Sequence, residues 1–312
     1  MGRWRPGLAV LSVGCLLALA TSARAQRAAP APAPNEINVS VNYVYAAQLG
    51  FGSYNVGGLS VSVYSLPLEY TLRDVLLDWR LKIGLPLLYG TYDFNKTVLG
   101  DNDIPVHVHA DQKTLSAEPK LKLEIPIVEP WTLSLIGAWG FGSTLDTHIK
   151  IRAPAGVVVA DDQVSNQETW YYTYQVGISS LLQQRFDQWT LSLGNAFIYA
   201  GTAALEHEEN VQAYGALETG VDARHPMGFR VMDYAPDASV FFIWYYFTPS
   251  LEFSRVERAS LQVDNVYEVG LTFGADPETP FRLPMLGNPR LGASYRVGND
   301  LNAVRLNFGF PF

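Results

Sequence analysis

From Glu36 onward the chain divides into segments in which apolar residues recur at every second position, separated by Gly, Pro, Asn and Asp. A period of two belongs to strands, where successive side chains point to opposite faces. About twelve such segments are predicted. The clearest runs from 75 to 89, with Leu77, Trp79, Leu81, Ile83, Leu85 and Leu87 on one face and Asp78, Arg80 and Lys82 on the other. Others span 36–48, 58–72, 114–127, 131–143, 168–182, 188–201, 209–222, 239–253 and 262–274, and two final strands are joined by the tight-turn signal Gly298-Asn299-Asp300. In 58–72, Leu59, Val61 and Val63 alternate with Ser60 and Ser62 until the phase changes around Pro67, which predicts a bulge there.

Strands with one apolar face need a solvent for it. When the polar face lines a lumen, the only solvent left for the other is lipid. The last segment has this character, with Val304, Leu306, Phe308, Phe310 and Phe312 separated by Arg305, Asn307, Gly309 and Pro311. The predicted fold is all-β, a transmembrane antiparallel up-and-down β-barrel over residues 36–312 with about twelve strands; a hidden hairpin makes fourteen, and merging weak segments makes ten. An even count puts both ends of the barrel chain in the periplasm. The turns at 73–74, 128–130 and 184–187 are then periplasmic and short. The connections at 49–57, 90–113, 144–167 and 202–208 are extracellular and mostly longer. The connections at 223–238 and 275–289 break this asymmetry, being periplasmic and long.

The N-terminus fits an exported protein. Arg3 and Arg5, the apolar stretch from Leu8 to Ala20, and Ala23-Arg24-Ala25 before Gln26 read as a signal peptide over residues 1–25. Residues 26–35, QRAAPAPAPN, form an extended Ala/Pro-rich periplasmic spacer. Cys15 is the only cysteine and falls in the leader, which leaves no disulfide framework and no cysteine metal site. Cleavage removes three arginines and no acid, taking the net charge from −8 to −11. An acidic surface argues against a nucleic-acid partner. Aromatic residues reach 12%, with Trp 7 and Tyr 17, as expected of interfacial girdles around a barrel.

The chain has no G-x-S-x-G elbow and no His-x-Ser-Asn-Gly stretch, so no catalytic residue and no cofactor is assigned. His107-Val108-His109 places two imidazoles on one face if extended, with Asp101, Asp103 and Asp111 near, a donor set that suits a divalent ion. Loop histidines on an acidic surface are ordinarily just solvated, and no metal site is assigned. The interior is more informative. Arg80, Lys82, Lys120, Lys122, Glu124, Glu218, Glu252, Glu268, Arg290, Arg296 and Arg305 are predicted to face the lumen, together with Asp78, Glu118 and Asp222. Charges there must be hydrated or paired. Ser134, Ala138, Gly140, Ser192, Gly194 and Ala196 are predicted as small inward residues. Twelve strands enclose less than the 16 to 18 of open porins, so the expected pore is narrow or occluded.

The terminal run Arg305-Leu306-Asn307-Phe308-Gly309-Phe310-Pro311-Phe312 resembles the signal read by the bacterial barrel-assembly machinery, with Phe308, Phe310 and Phe312 carrying it. With the strand count, and loosely with the Arg224-His225-Pro226 connection, the chain resembles the translocator barrels of autotransporters, in the solitary form that lacks a passenger. The resemblance implies a non-enzymatic barrel in the outer membrane, surrounded by lipid and lipopolysaccharide and delivered by periplasmic chaperones and the assembly machinery. It gives no oligomeric state. An outer-membrane hydrolase acting on lipid or peptide, and an adhesin or receptor using the acidic loops, stand as alternatives.

Overall fold

A computed structural model describes residues 51–56, 59–72, 78–99, 105–152, 158–160, 170–205, 212–230, 235–253, 261–275, 290–299 and 301–308. The predicted leader, the spacer and the predicted strand at 36–48 lie outside them, as do Phe310 and Phe312. The described elements are all strands: β1 (Gly52–Val56), β2 (Leu59–Leu72), β3 (Arg80–Leu99), β4 (Pro105–Ala117), β5 (Lys120–Val128), β6 (Trp131–Arg152), β7 (Val158–Ala160), β8 (Trp170–Phe186), β9 (Trp189–Ala204), β10 (Gln212–Pro226), β11 (Pro236–Phe253), β12 (Leu261–Ala275), β13 (Arg290–Gly298) and β14 (Leu301–Phe308).

Every neighbouring pair is antiparallel, and β1 pairs with β14 from Gly52↔Arg305 to Val56↔Leu301, which closes the sheet into a cylinder. A closed cylinder leaves no edge for another chain to extend. β4 and β5 each pair with both β3 and β6, so they are two halves of one wall strand. The break falls at Glu118-Pro119, where the proline has no N–H for the ladder. The Glu118 amide donates to the Pro86 carbonyl and the Trp139 amide to the Pro119 carbonyl, each at 3.1 Å, so the wall stays hydrogen-bonded through it. β7 is a three-residue addition to the end of β6. The wall therefore has twelve strands, as expected.

Several boundaries differ from the sequence reading. β1 occupies part of the expected 49–57 connection. β3, β4 and β6 run on through much of the expected 90–113 and 144–167 loops, because their alternation continues with polar residues outward. β10 and β11 shorten the expected 223–238 connection to 227–235. The bulge expected around Pro67 is absent: β2 and β3 stay in register from Leu59↔Phe94 to Leu72↔Leu81, with Pro67 opposite Pro86. Asp78 is not on the strand face assigned to it but in the turn before β3, with φ 66°.

Outside, a belt of exposed apolar residues circles the barrel, including Leu66 and Tyr70 of β2, Leu121 of β5, Trp139 of β6, Val221 of β10 and Val269 of β12. Val304, Leu306 and Phe308 of β14 belong to it. The belt is interrupted on one side. Ser180, Asn195 and Thr219 face outward in register on β8, β9 and β10. Thr219 Oγ1 donates to Asn195 Oδ1 at 3.1 Å, and Trp131 Nε1 donates to Ser180 Oγ at 2.7 Å.

Candidate functional site

The candidate site is the barrel interior, and strand register decides which side chains meet in it. Inward positions on neighbouring strands form rows, and one row joins Ile243 of β11, Glu268 of β12, Arg296 of β13 and Ala303 of β14. Glu268 is fully buried and accepts from Arg296 Nε at 2.6 Å, Tyr245 Oη at 2.8 Å and Arg305 Nη1 at 3.3 Å, with Ser294 Oγ as a further donor. Arg296 Nη2 in turn donates to Tyr245 Oη at 2.9 Å, and its guanidinium carbon lies 4.7 Å from the Tyr245 ring centroid. Asn307 Nδ2 donates to Ser294 Oγ at 3.0 Å. One carboxylate thus ties four strands together. Its burial is tolerable because each of its oxygens has donors, two of them cationic.

A second cluster lies toward the terminal rim, the end where β14 finishes. Arg290 Nη2 is 2.6 Å from Asp237 Oδ1, and Arg224 Nε is 4.0 Å from the same oxygen. Arg290 also donates to Thr272 Oγ1 at 2.9 Å, and Thr272 and Ser239 share a 2.7 Å hydroxyl contact. Asp222 is buried on the same interior face, opposite Phe241.

The third cluster sits on β2, β3 and β5. Glu124 is reached by Lys82 Nζ at 2.9 Å, Arg80 Nε at 3.4 Å and Lys122 Nζ at 3.8 Å, and Lys82 also approaches Glu69 at 3.7 Å. This set is wetter, the Arg80 side chain being 46% exposed. Lys120 shares the face, opposite Gly84 and Ala138. Buried Glu118, at the wall break, accepts from Thr173 Oγ1 at 3.1 Å.

Of the predicted interior charges, the structure brings Glu268, Arg296 and Arg305 together, and separately Arg80, Lys82, Lys122 and Glu124. Arg290 stands in its own cluster. Glu218 lies in the row opposite Tyr245 and joins none of these ion pairs. The Glu252 side chain lies outside the described residues. The predicted small residues Ser134, Gly140, Ser192 and Gly194 are buried on the interior face. Sequence reading missed Asp237, which was assigned to a connection, and Glu69, Ser239, Tyr245, Thr272 and Ser294, which carry no pattern beyond their alternation.

Toward the far rim the interior turns apolar. Tyr54, Val56, Leu59, Val61 and Val63 of β1 and β2 are buried there, with Tyr92 of β3 and Leu301 of β14. Their outward neighbours Asn55 and Ser60 are exposed.

No protein-family model matches the chain, and no curated protein does. Among solved structures it is similar to the translocator domain of the autotransporter NalP from Neisseria meningitidis, at a TM-score of 0.54 and 10% identity over 84% of this chain and 85% of that one. It is also similar to the beta domain of the Bordetella autotransporter BrkA, at a TM-score of 0.49 and 10% identity over 82% and 92%. At such identity the NalP likeness speaks for the fold alone. Twelve antiparallel wall strands, closure through β1 and β14, and that likeness give this chain the fold of an autotransporter translocator barrel.

Proposed function

We propose that the protein is an outer-membrane barrel with an occluded interior, a structural or very weakly conducting component and not an open pore. The observation that carries this reading is the Glu268 cluster, in which a fully buried carboxylate and two guanidinium groups satisfy one another across β11 to β14. Charges that line an open channel are hydrated instead. The apolar far end of the interior supports the same reading, since large buried side chains such as Tyr54, Tyr92 and Leu301 leave little for an ion to follow. The belt of exposed apolar residues supports a lipid surround, and the outward row Val304, Leu306 and Phe308 supports recognition of the last strand during assembly.

Planar-bilayer recording tests this. The folded chain is expected to give no steady conductance, and Arg296→Ala with Arg305→Ala to introduce channel events. Large steady steps from the unaltered protein would overturn the reading. A gel-mobility shift on boiling checks that each sample is a folded barrel.

A further inference from the structure

Beyond the apolar belt, β3, β4 and β6 continue side by side as a three-stranded wall with a polar outer face. On that face Asp93 of β3 lies directly opposite Asp111 of β4, and Asp111 lies opposite His148 of β6. His109 is two residues from Asp111, so it shares the face. The ligand atoms of Asp93, His109 and Asp111 all lie within 4.8 Å of one another. His109 Nε2 is 2.9 Å from Asp111 Oδ2, and its Nδ1 is buried without a hydrogen-bond partner.

We propose that Asp93, His109 and Asp111 form a site for a divalent transition-metal cation of the zinc class. Three facts about the arrangement lead there. The donors come from paired strands and not from a loop, so cross-strand register fixes their spacing before any ion arrives. Two carboxylates directly opposite one another repel, and a dication bound between them removes that repulsion. The donor set also selects the ion. Imidazole with carboxylate suits Zn2+, Ni2+ or Cu2+, whereas Mg2+ and Ca2+ take oxygen ligands almost throughout. On the same face Lys113 lies in the row beside Asp93 and Asp111, and Lys150 lies directly opposite His109, and the two temper the negative field of the carboxylates. His107, the other half of the His-x-His pair, is drawn away, its Nδ1 lying 3.4 Å from Thr97 Oγ1.

The test uses the full chain folded in detergent, stripped with chelator and titrated with Co2+ as a spectroscopic stand-in, then with Zn2+ in competition. One Co2+ per barrel with a ligand-field absorption band, displaced by Zn2+ and not by excess Mg2+ or Ca2+, is the expected result. Asp93→Asn and His109→Ala should each weaken binding at least about tenfold, while His107→Ala should leave it unchanged. The heat-dependent gel shift verifies that each variant is folded. Binding that survives both ligand variants, or is lost equally in His107→Ala, would overturn the proposal, as would Co2+ uptake no greater than in a detergent blank.

Discussion

The wall made by β2 and β3 has opposite polarity at its two ends. Toward the terminal rim, Leu66, Tyr70 and Leu72 of β2 and Ile83, Leu85 and Leu87 of β3 are exposed on the outside, while Glu69 and Lys82 pair within. Toward the far rim the faces exchange roles, with Ser60 exposed outside and Val61, Val63, Leu88 and Tyr92 buried inside. The register between the two strands runs unbroken through the change. A period of two therefore says that a strand has two faces, and what surrounds the strand at each height decides which face is greasy. One end is built like a soluble barrel with an apolar core, and the other like that barrel turned inside out.

The largest expected effect lies between these ends, in the Glu268 cluster, whose row runs through Ala303 to Tyr54. Glu268→Leu leaves Arg296 and Arg305 without their shared counter-ion in a buried setting, and should cost about 3–5 kcal/mol in urea unfolding of the reconstituted barrel. A loss under about 1 kcal/mol would mean that water reaches these guanidinium groups, and the contrast between a dry and a wet interior would fail.

Next comes a pair of substitutions on the outer face of β2. Leu66→Arg places a charge in the apolar belt and should cost about 2–4 kcal/mol if it lies near the membrane midplane. Ser62→Arg, two turns of the pleat higher on the same face, should stay within about 0.5 kcal/mol. Equal costs at the two positions would erase the boundary between the regions.

The smallest effect is predicted at the wet margin of the interior. Arg80→Ala removes a half-exposed partner of Glu124 that Lys82 and Lys122 also reach, and should change stability by no more than about 1 kcal/mol. The difference between this value and that for Glu268→Leu measures how far the interior dries from rim to centre.

The same comparison explains what the sequence disclosed. The strands at Leu81–Leu87 and Leu121–Ile127 were legible with the right face outward because lipid-facing Leu and Ile leave a strong alternation. The extensions carrying Asp93, Asp111 and His148 were not legible as strands, since polar residues on an exposed face look like a loop. β1 was hidden by its shortness and by the better alternation at 36–48. Asp237 was missed because it follows Pro236 in a stretch dense with turn-forming residues. The inward faces of Glu268, Arg296 and Arg305 followed from parity, but their meeting did not. That depends on register between strands, and no single strand's pattern contains it.

The outward polar row of Ser180, Asn195 and Thr219 has a geometric consequence. A barrel afloat in a bilayer turns about its own axis, and a uniform belt would make every heading equivalent. This one bears a polar landmark on the side formed by β8, β9 and β10, so its rotational symmetry is broken. Any neighbour in the plane of the membrane meets a molecule with a front and a back.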